Sequence, residues 1–186
     1  MKRISFALLI ASLSIACSAH RPAAMGGPEP GTGDIAFRLL WQCVSDLDLY
    51  VLGPEGTCVF YGNPQSQTGA ILDIDCNGAS DRVCEHPVEN VYWATNTAPA
   101  GTYTYWIRAN SIALNETPVL FDLQLLRGER VVWSRKGSFL EPQGSFGPFV
   151  YSFSAGKSAM PTEAAELPAC TVYRILSGDE DGRGAS

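Results

Sequence analysis

Basic side chains are scarce in this 186-residue chain, where 13 lysines and arginines stand against 19 aspartates and glutamates. A surface so poor in cations cannot neutralise a phosphate backbone, which excludes nucleic acid as a partner. It equally disfavours adsorption to anionic lipid unless an anchor supplies the attachment. Histidine is almost absent, with only His20 and His86 in the whole chain. A Ser–His–acid triad in the body of the protein could recruit only His86, and no Gly-flanked serine lies near it. His86 precedes Pro87 in a loop and is expected at the surface. No apolar run after residue 16 is long enough for a transmembrane helix. Helix-permissive sequence is confined to residues 161–167, and there is no internal repeat.

The first seventeen residues, MKRISFALLIASLSIAC, carry an export signal. Lys2 and Arg3 form a positive head, and residues 4–16 are an apolar run too short to span a bilayer permanently. The small residue before Cys17 resembles the lipobox of bacterial lipoproteins, in which the Cys is acylated and becomes the mature N-terminus. The plainer alternative is an ordinary secretory signal cleaved near Ala19 or Ala24; either way the chain leaves the cytoplasm. Loss of residues 1–16 removes two of the 13 basic residues and no acid, so eleven face nineteen and the net charge becomes −8. Residues 18–33, SAHRPAAMGGPEPGTG, read as a flexible tether. Residues 34–176 form one domain, and residues 177–186 read as a disordered polar tail. The location implied is the outer membrane or periplasm, with the membrane reached through the lipid on Cys17.

Six cysteines suit an oxidising compartment. Lipidation of Cys17 would leave five, so at least one has no partner within the chain. Cys76 and Cys84 flank the short polar loop NGASDRV, and a bridge between them is expected. Closing so small a loop contributes somewhat less than ~3 kcal/mol on the chain-entropy argument. Cys43, Cys58 and Cys170 offer no basis for choosing a pair.

Apolar residues alternate with period two almost throughout, as half-buried strands require. Ile35, Phe37, Leu39 and Trp41 mark one strand; Leu47, Leu49 and Val51 mark the next. A four-residue GPEG turn (53–56) predicts Cys58 and Phe60 on the inward face of a third, with Asp48 opposite Tyr61. Leu72 with Ile74, Val91 with Trp93, and Tyr103, Tyr105 and Ile107 continue the pattern. Val119, Phe121, Leu123 and Leu125 give the cleanest strand, followed by Val131 with Trp133, then Phe149, Tyr151 and Phe153. A last strand is possible at 170–175. Eight or more short strands with hairpin connections predict an all-β antiparallel sandwich, immunoglobulin- or jelly-roll-like, of two packed sheets.

Two acidic clusters interrupt this pattern. In SDLDLYV, Asp46 and Asp48 alternate with leucines and fall on one strand face about 7 Å apart. In GAILDIDCNG, Asp73 and Asp75 are out of phase with Leu72 and Ile74. Both pairs are expected to turn away from the core, and a solvated acidic face would account for them. The run Asp73-x-Asp75-x-Asn77-Gly78 also has the oxygen-donor spacing of a calcium loop, although Cys84 at the twelfth position rules out an EF-hand. If the second and fourth strands are neighbours, Asp46, Asp48, Asp73, Asp75 and Asn77 form a candidate Ca²⁺ site. Glu89 and Asn90 could fold back to join it from the following loop.

Taken in order, WQCVSDLDLYVLGPEGTCVFYGN, TGAILDIDCNG and HPVENVYWATNTAPAGTYTYWI resemble the YfaP-like domain of uncharacterised exported bacterial proteins. The likeness covers about residues 35–125. It implies a β-sandwich at the cell surface or in the periplasm and no established activity. Other motifs carry less. SAGKS (154–158) ends like a phosphate loop, but Tyr151 replaces the required glycine within a strand. The sequon at Asn115 is one a bacterial lipoprotein does not normally use. A carboxylate pair for glycoside hydrolysis could be built only from Asp48 with Asp73 or Glu89. Trp93 and Trp133 are in phase with the core, whereas Trp106 is out of phase and expected to be partly exposed. The sum is a non-enzymatic binding or accessory module of the envelope, with a protein or glycan partner. A glycosidase-like hydrolase is the alternative.

Overall fold

The computed structural model describes residues 29–78, 83–84, 86–154 and 157–168. They form an all-β sandwich of two antiparallel sheets, with no helix among the described residues. The first sheet has the order β4-β5-β1-β7-β8, built from β1 (Gly33–Trp41), β4 (Ala70–Ile74), β5 (Val88–Trp93), β7 (Val119–Gly128) and β8 (Arg130–Phe139). The second runs β10-β9-β6-β2-β3, from β2 (Asp46–Leu52), β3 (Cys58–Val59), β6 (Gly101–Ser111), β9 (Ser145–Ser154) and β10 (Lys157–Ser158). A short β11 (Thr162–Glu163), within the helix-permissive stretch 161–167, also pairs with β9.

The alternating apolar residues meet between the sheets. Ile35, Phe37 and Leu39 of β1 face Leu47, Leu49 and Val51 of β2, with Tyr103, Tyr105 and Ile107 of β6 beside them. Phe37 sits at the centre, its ring centroid 4.6 Å from Tyr105, 5.9 Å from Tyr103 and 6.4 Å from Trp93. Aromatic rings tilted or edge-on in this way add to the burial of their area.

Three expectations fail for identifiable backbone reasons. The turn after β2 holds five residues, closed by the Gly53 N–H donating to the Thr57 carbonyl at 3.0 Å. Val51 therefore pairs with Val59 and Leu52 with Cys58, so Val59 points inward while Cys58 and Phe60 point outward. In β8 a register shift opposite Leu125 and Leu126 reverses the phase. It leaves Val131 44 % exposed, while Trp133 still packs edge-on against Tyr105. Trp106, expected to be partly exposed, is 0 % exposed. Its outward face is roofed by a second, smaller core in which Tyr50 stacks on Trp106 at 5.2 Å and Phe60 on Tyr50 at 5.0 Å. Cys58 and Leu167 complete that roof.

The Cys76–Cys84 disulfide is present. Cys58 is also disulfide-bonded, and Cys43 keeps a buried thiol. Cys17, Cys170, the possible strand at 170–175 and the tail at 177–186 lie outside the described residues. No described helix is long and apolar enough to cross a membrane.

Candidate functional site: the acidic edge of the sandwich

β2 is paired by β6 along its whole length, but by β3 only at Val51 and Leu52. Its other edge, over residues 46–50, has no strand neighbour among the described residues. One feature caps this edge and a second fixes the turn that leads into it. From the first sheet, Glu89 is in phase with Val91 and Trp93 and so points between the layers. Its Oε2 accepts the Leu49 N–H at 2.5 Å, taking the place of a missing strand. The disulfide loop supplies the second feature. Asn77, at φ 65°, donates through Nδ2 to the carbonyls of Cys43 and Ser45 at 3.0 and 3.4 Å and accepts the Cys84 N–H at 2.8 Å. This lashes the loop to the turn before β2. Glu116 fixes the same turn from the other side, accepting the Val44 and Ser45 N–H groups at 3.2 and 3.1 Å.

Asp46 and Asp48 were expected on a solvated face; instead they are 6 % and 3 % exposed, and Glu89 is 1 % exposed. The reason is this covering of the β2 edge, which a strand-by-strand reading cannot foresee. Burial pushes the Glu89 carboxyl well above the ordinary carboxylate range, and the charges of Asp48 and Asp75 push in the same direction. The Leu49 N–H opposes the shift without cancelling it. Asp46 is raised as well, chiefly by burial, with the Asn110 amide opposing and Asp75 adding to the rise. Asn110 Nδ2 satisfies one oxygen of Asp46 at 2.7 Å. Asp46 Oδ1 and Glu89 Oε1 are buried without a hydrogen-bond donor. The further contact of Glu89 with Asp75 is acid against acid, and it holds only with a proton or a cation between them.

Six of the seven residues expected to share one site fall into two groups. Asp46, Asp48, Asp75 and Glu89 gather at the sandwich edge, coupled through Glu89 and Asp46. Asp73 and Asn90 lie on the outer face of the first sheet, where Asn90 Nδ2 donates to Asp73 Oδ1 at 2.8 Å. Three findings separate them. β2 and β4 lie in different sheets, so their acids cannot share a face. A register shift between Leu72 and Ile74 bulges Asp73 outward, while Asp75 lies beyond the strand end. Glu89 and Asn90 are consecutive in β5 itself, not in a loop, and so point to opposite sides. Asn77 belongs to neither group, since its amide is committed to Cys43, Ser45 and Cys84. Among the described residues no three acidic, histidine or cysteine side chains are already arranged around a single metal position. Asn110 and Glu116 went unnoticed in the sequence, and nothing in their local pattern marks either. His86 is exposed as expected.

No protein-family model, curated protein or solved structure matches the chain.

Proposed function

We propose that this protein is an exported, non-enzymatic binding or accessory module of the bacterial envelope. In this reading it is held to the membrane through lipid on Cys17, and Ca²⁺ completes the acidic edge of its sandwich. The YfaP-like order of boxes and the export signal support the location. The observation that carries the cation is the pair of buried, donor-less oxygens, Asp46 Oδ1 and Glu89 Oε1, among four acids. A buried carboxylate oxygen without a donor is costly, and in an all-oxygen setting a proton or a hard cation relieves it. The larger, geometrically tolerant Ca²⁺ suits acids that must move slightly to converge.

Binding is favoured over hydrolysis by the same burial. A glycosidase would use Glu89 as acid beside Asp48. At 1 % and 3 % exposed, neither offers a sugar an oxygen it can reach. The partner is a protein or glycan of the envelope. Two measurements test the reading. Metal analysis of protein purified without chelator is expected to return about one calcium per chain, and none would remove the cation from it. Cell fractionation is expected to place the wild type with membranes and Cys17→Ala in the soluble fraction. Wild type already soluble, with its N-terminus downstream of Cys17, would remove the anchor.

A further inference from the structure

The side chains that the acidic edge leaves out hold something else. On the outer face of the first sheet, Asp73 of β4, Asn90 and Tyr92 of β5, and Arg38 of β1 surround the backbone of Gly31, just before β1 begins. The Gly31 N–H donates to Asp73 Oδ2 at 2.6 Å. The Gly31 carbonyl accepts from Asn90 Nδ2 at 3.0 Å and from Arg38 Nη2 at 3.4 Å. Arg38 Nη2 also reaches the Pro30 carbonyl at 3.5 Å. The cradle is braced from within, because Arg38 Nε donates to Asn90 Oδ1 at 3.1 Å and Asn90 donates to Asp73. Tyr92 forms the lid. A Cβ built on Gly31 would lie 2.5, 2.6 and 2.8 Å from three carbons of its ring, closer than any side chain tolerates.

We propose that Arg38, Asp73, Asn90 and Tyr92 form a glycine-selective backbone clamp whose occupant is the protein's own tether at Pro30 and Gly31. The polar groups read the amide and carbonyl of one residue, as a strand edge would. The ring reads the absence of a side chain. Residues 18–33 were expected to be flexible throughout, but Pro30 and Gly31 are held by the clamp and Gly33 already belongs to β1.

Hydrogen exchange on the full-length exported chain tests the clamp, read at the Gly31 amide in detergent-solubilised wild type and in Cys17→Ala. In both, Gly31 is expected to exchange at least about tenfold more slowly than an unstructured glycine. Gly31→Ala should bring residue 31 to the unstructured rate while leaving the strand amides protected. Adding Tyr92→Ala to Gly31→Ala should restore protection by making room for the methyl group. Unprotected Gly31 in wild type, or a Gly31→Ala amide as slow as wild type, overturns the clamp. Failure of the double variant to recover overturns its selectivity for glycine. Loss of the anchor reading would appear as soluble wild type and would leave Gly31 exchange unchanged, so the two ideas fail separately.

Discussion

The carboxylate of Glu89, rooted in one sheet, accepts the backbone N–H of Leu49 in the other at 2.5 Å. A single side chain thus stands in for a strand at the open edge of β2, and it does so buried beside Asp48 and Asp75. Its elevated pKa has a definite consequence for stability. Below the ordinary carboxylate value of 4.5, folded and unfolded chains are both protonated. Between that value and the raised one, the folded state alone keeps the proton, so stability falls as pH rises through the window. In chelator, Glu89→Gln removes the titrating group and keeps the shape. Denaturant unfolding at about pH 5 and about pH 8 should show the variant gaining on wild type as pH rises. A constant difference across that range would contradict the assigned burial.

Asn77 is a structural lock, and its backbone and side chain can be tested apart. Asn77→Gly keeps the left-handed φ but loses the bonds to Cys43, Ser45 and Cys84, an expected cost of about 1–3 kcal/mol. Asn77→Ala adds roughly a further 1 kcal/mol of backbone strain. Equal stabilities for glycine and alanine variants, from urea melts, would show that the φ constraint is not felt.

The tier roofing the second sheet should be as costly to disturb as the central core. Trp106→Ala removes a fully buried ring from between Tyr50 and its neighbours, with an expected loss of about 3–5 kcal/mol. Trp133→Ala, at a half-buried edge position, should cost clearly less in the same thermal or chemical melts. The reverse order would mean that the Tyr50 stack is not part of the folded core.

Leu167 packs into this tier beside Cys58, whose sulfur is in a disulfide. Non-reducing peptide mapping is expected to recover Cys76 joined to Cys84, and Cys58 in a bridge that does not include Cys43. A Cys43–Cys58 peptide would contradict the buried thiol at Cys43.

The sandwich was legible because its central strands are governed by local alternation. Leu47 and Leu49, or Phe121 and Leu123, could face only one way once a core existed. Phase was lost wherever a single residue was inserted. The fifth residue of the turn before Cys58 exchanged Val59 for Phe60, and the irregularity opposite Leu125 exposed Val131. The acids were conspicuous as a type, but their grouping was not legible. It depends on which sheet β4 joins, on a bulge at Asp73 and on Glu89 reaching from the first sheet to Leu49 of β2, all set by long-range contacts. Trp106 illustrates the same limit, since no alternation rule reveals that an outward face has its own roof.

The central claim is that Asp46, Asp48, Asp75 and Glu89 take up a divalent cation in the folded state only. Thermal melting of wild type and Glu89→Gln, each in chelator, in millimolar Ca²⁺ and in millimolar Mg²⁺, tests it most directly. A folded-state ligand raises the melting temperature by mass action, about 2.7 kcal/mol of stabilisation at a hundredfold excess over its Kd. Wild type is expected to melt several degrees higher in Ca²⁺ than in chelator, with Mg²⁺ giving less and Glu89→Gln giving no shift. Superimposable wild-type curves in Ca²⁺ and chelator would contradict the claim and leave this edge without a cation.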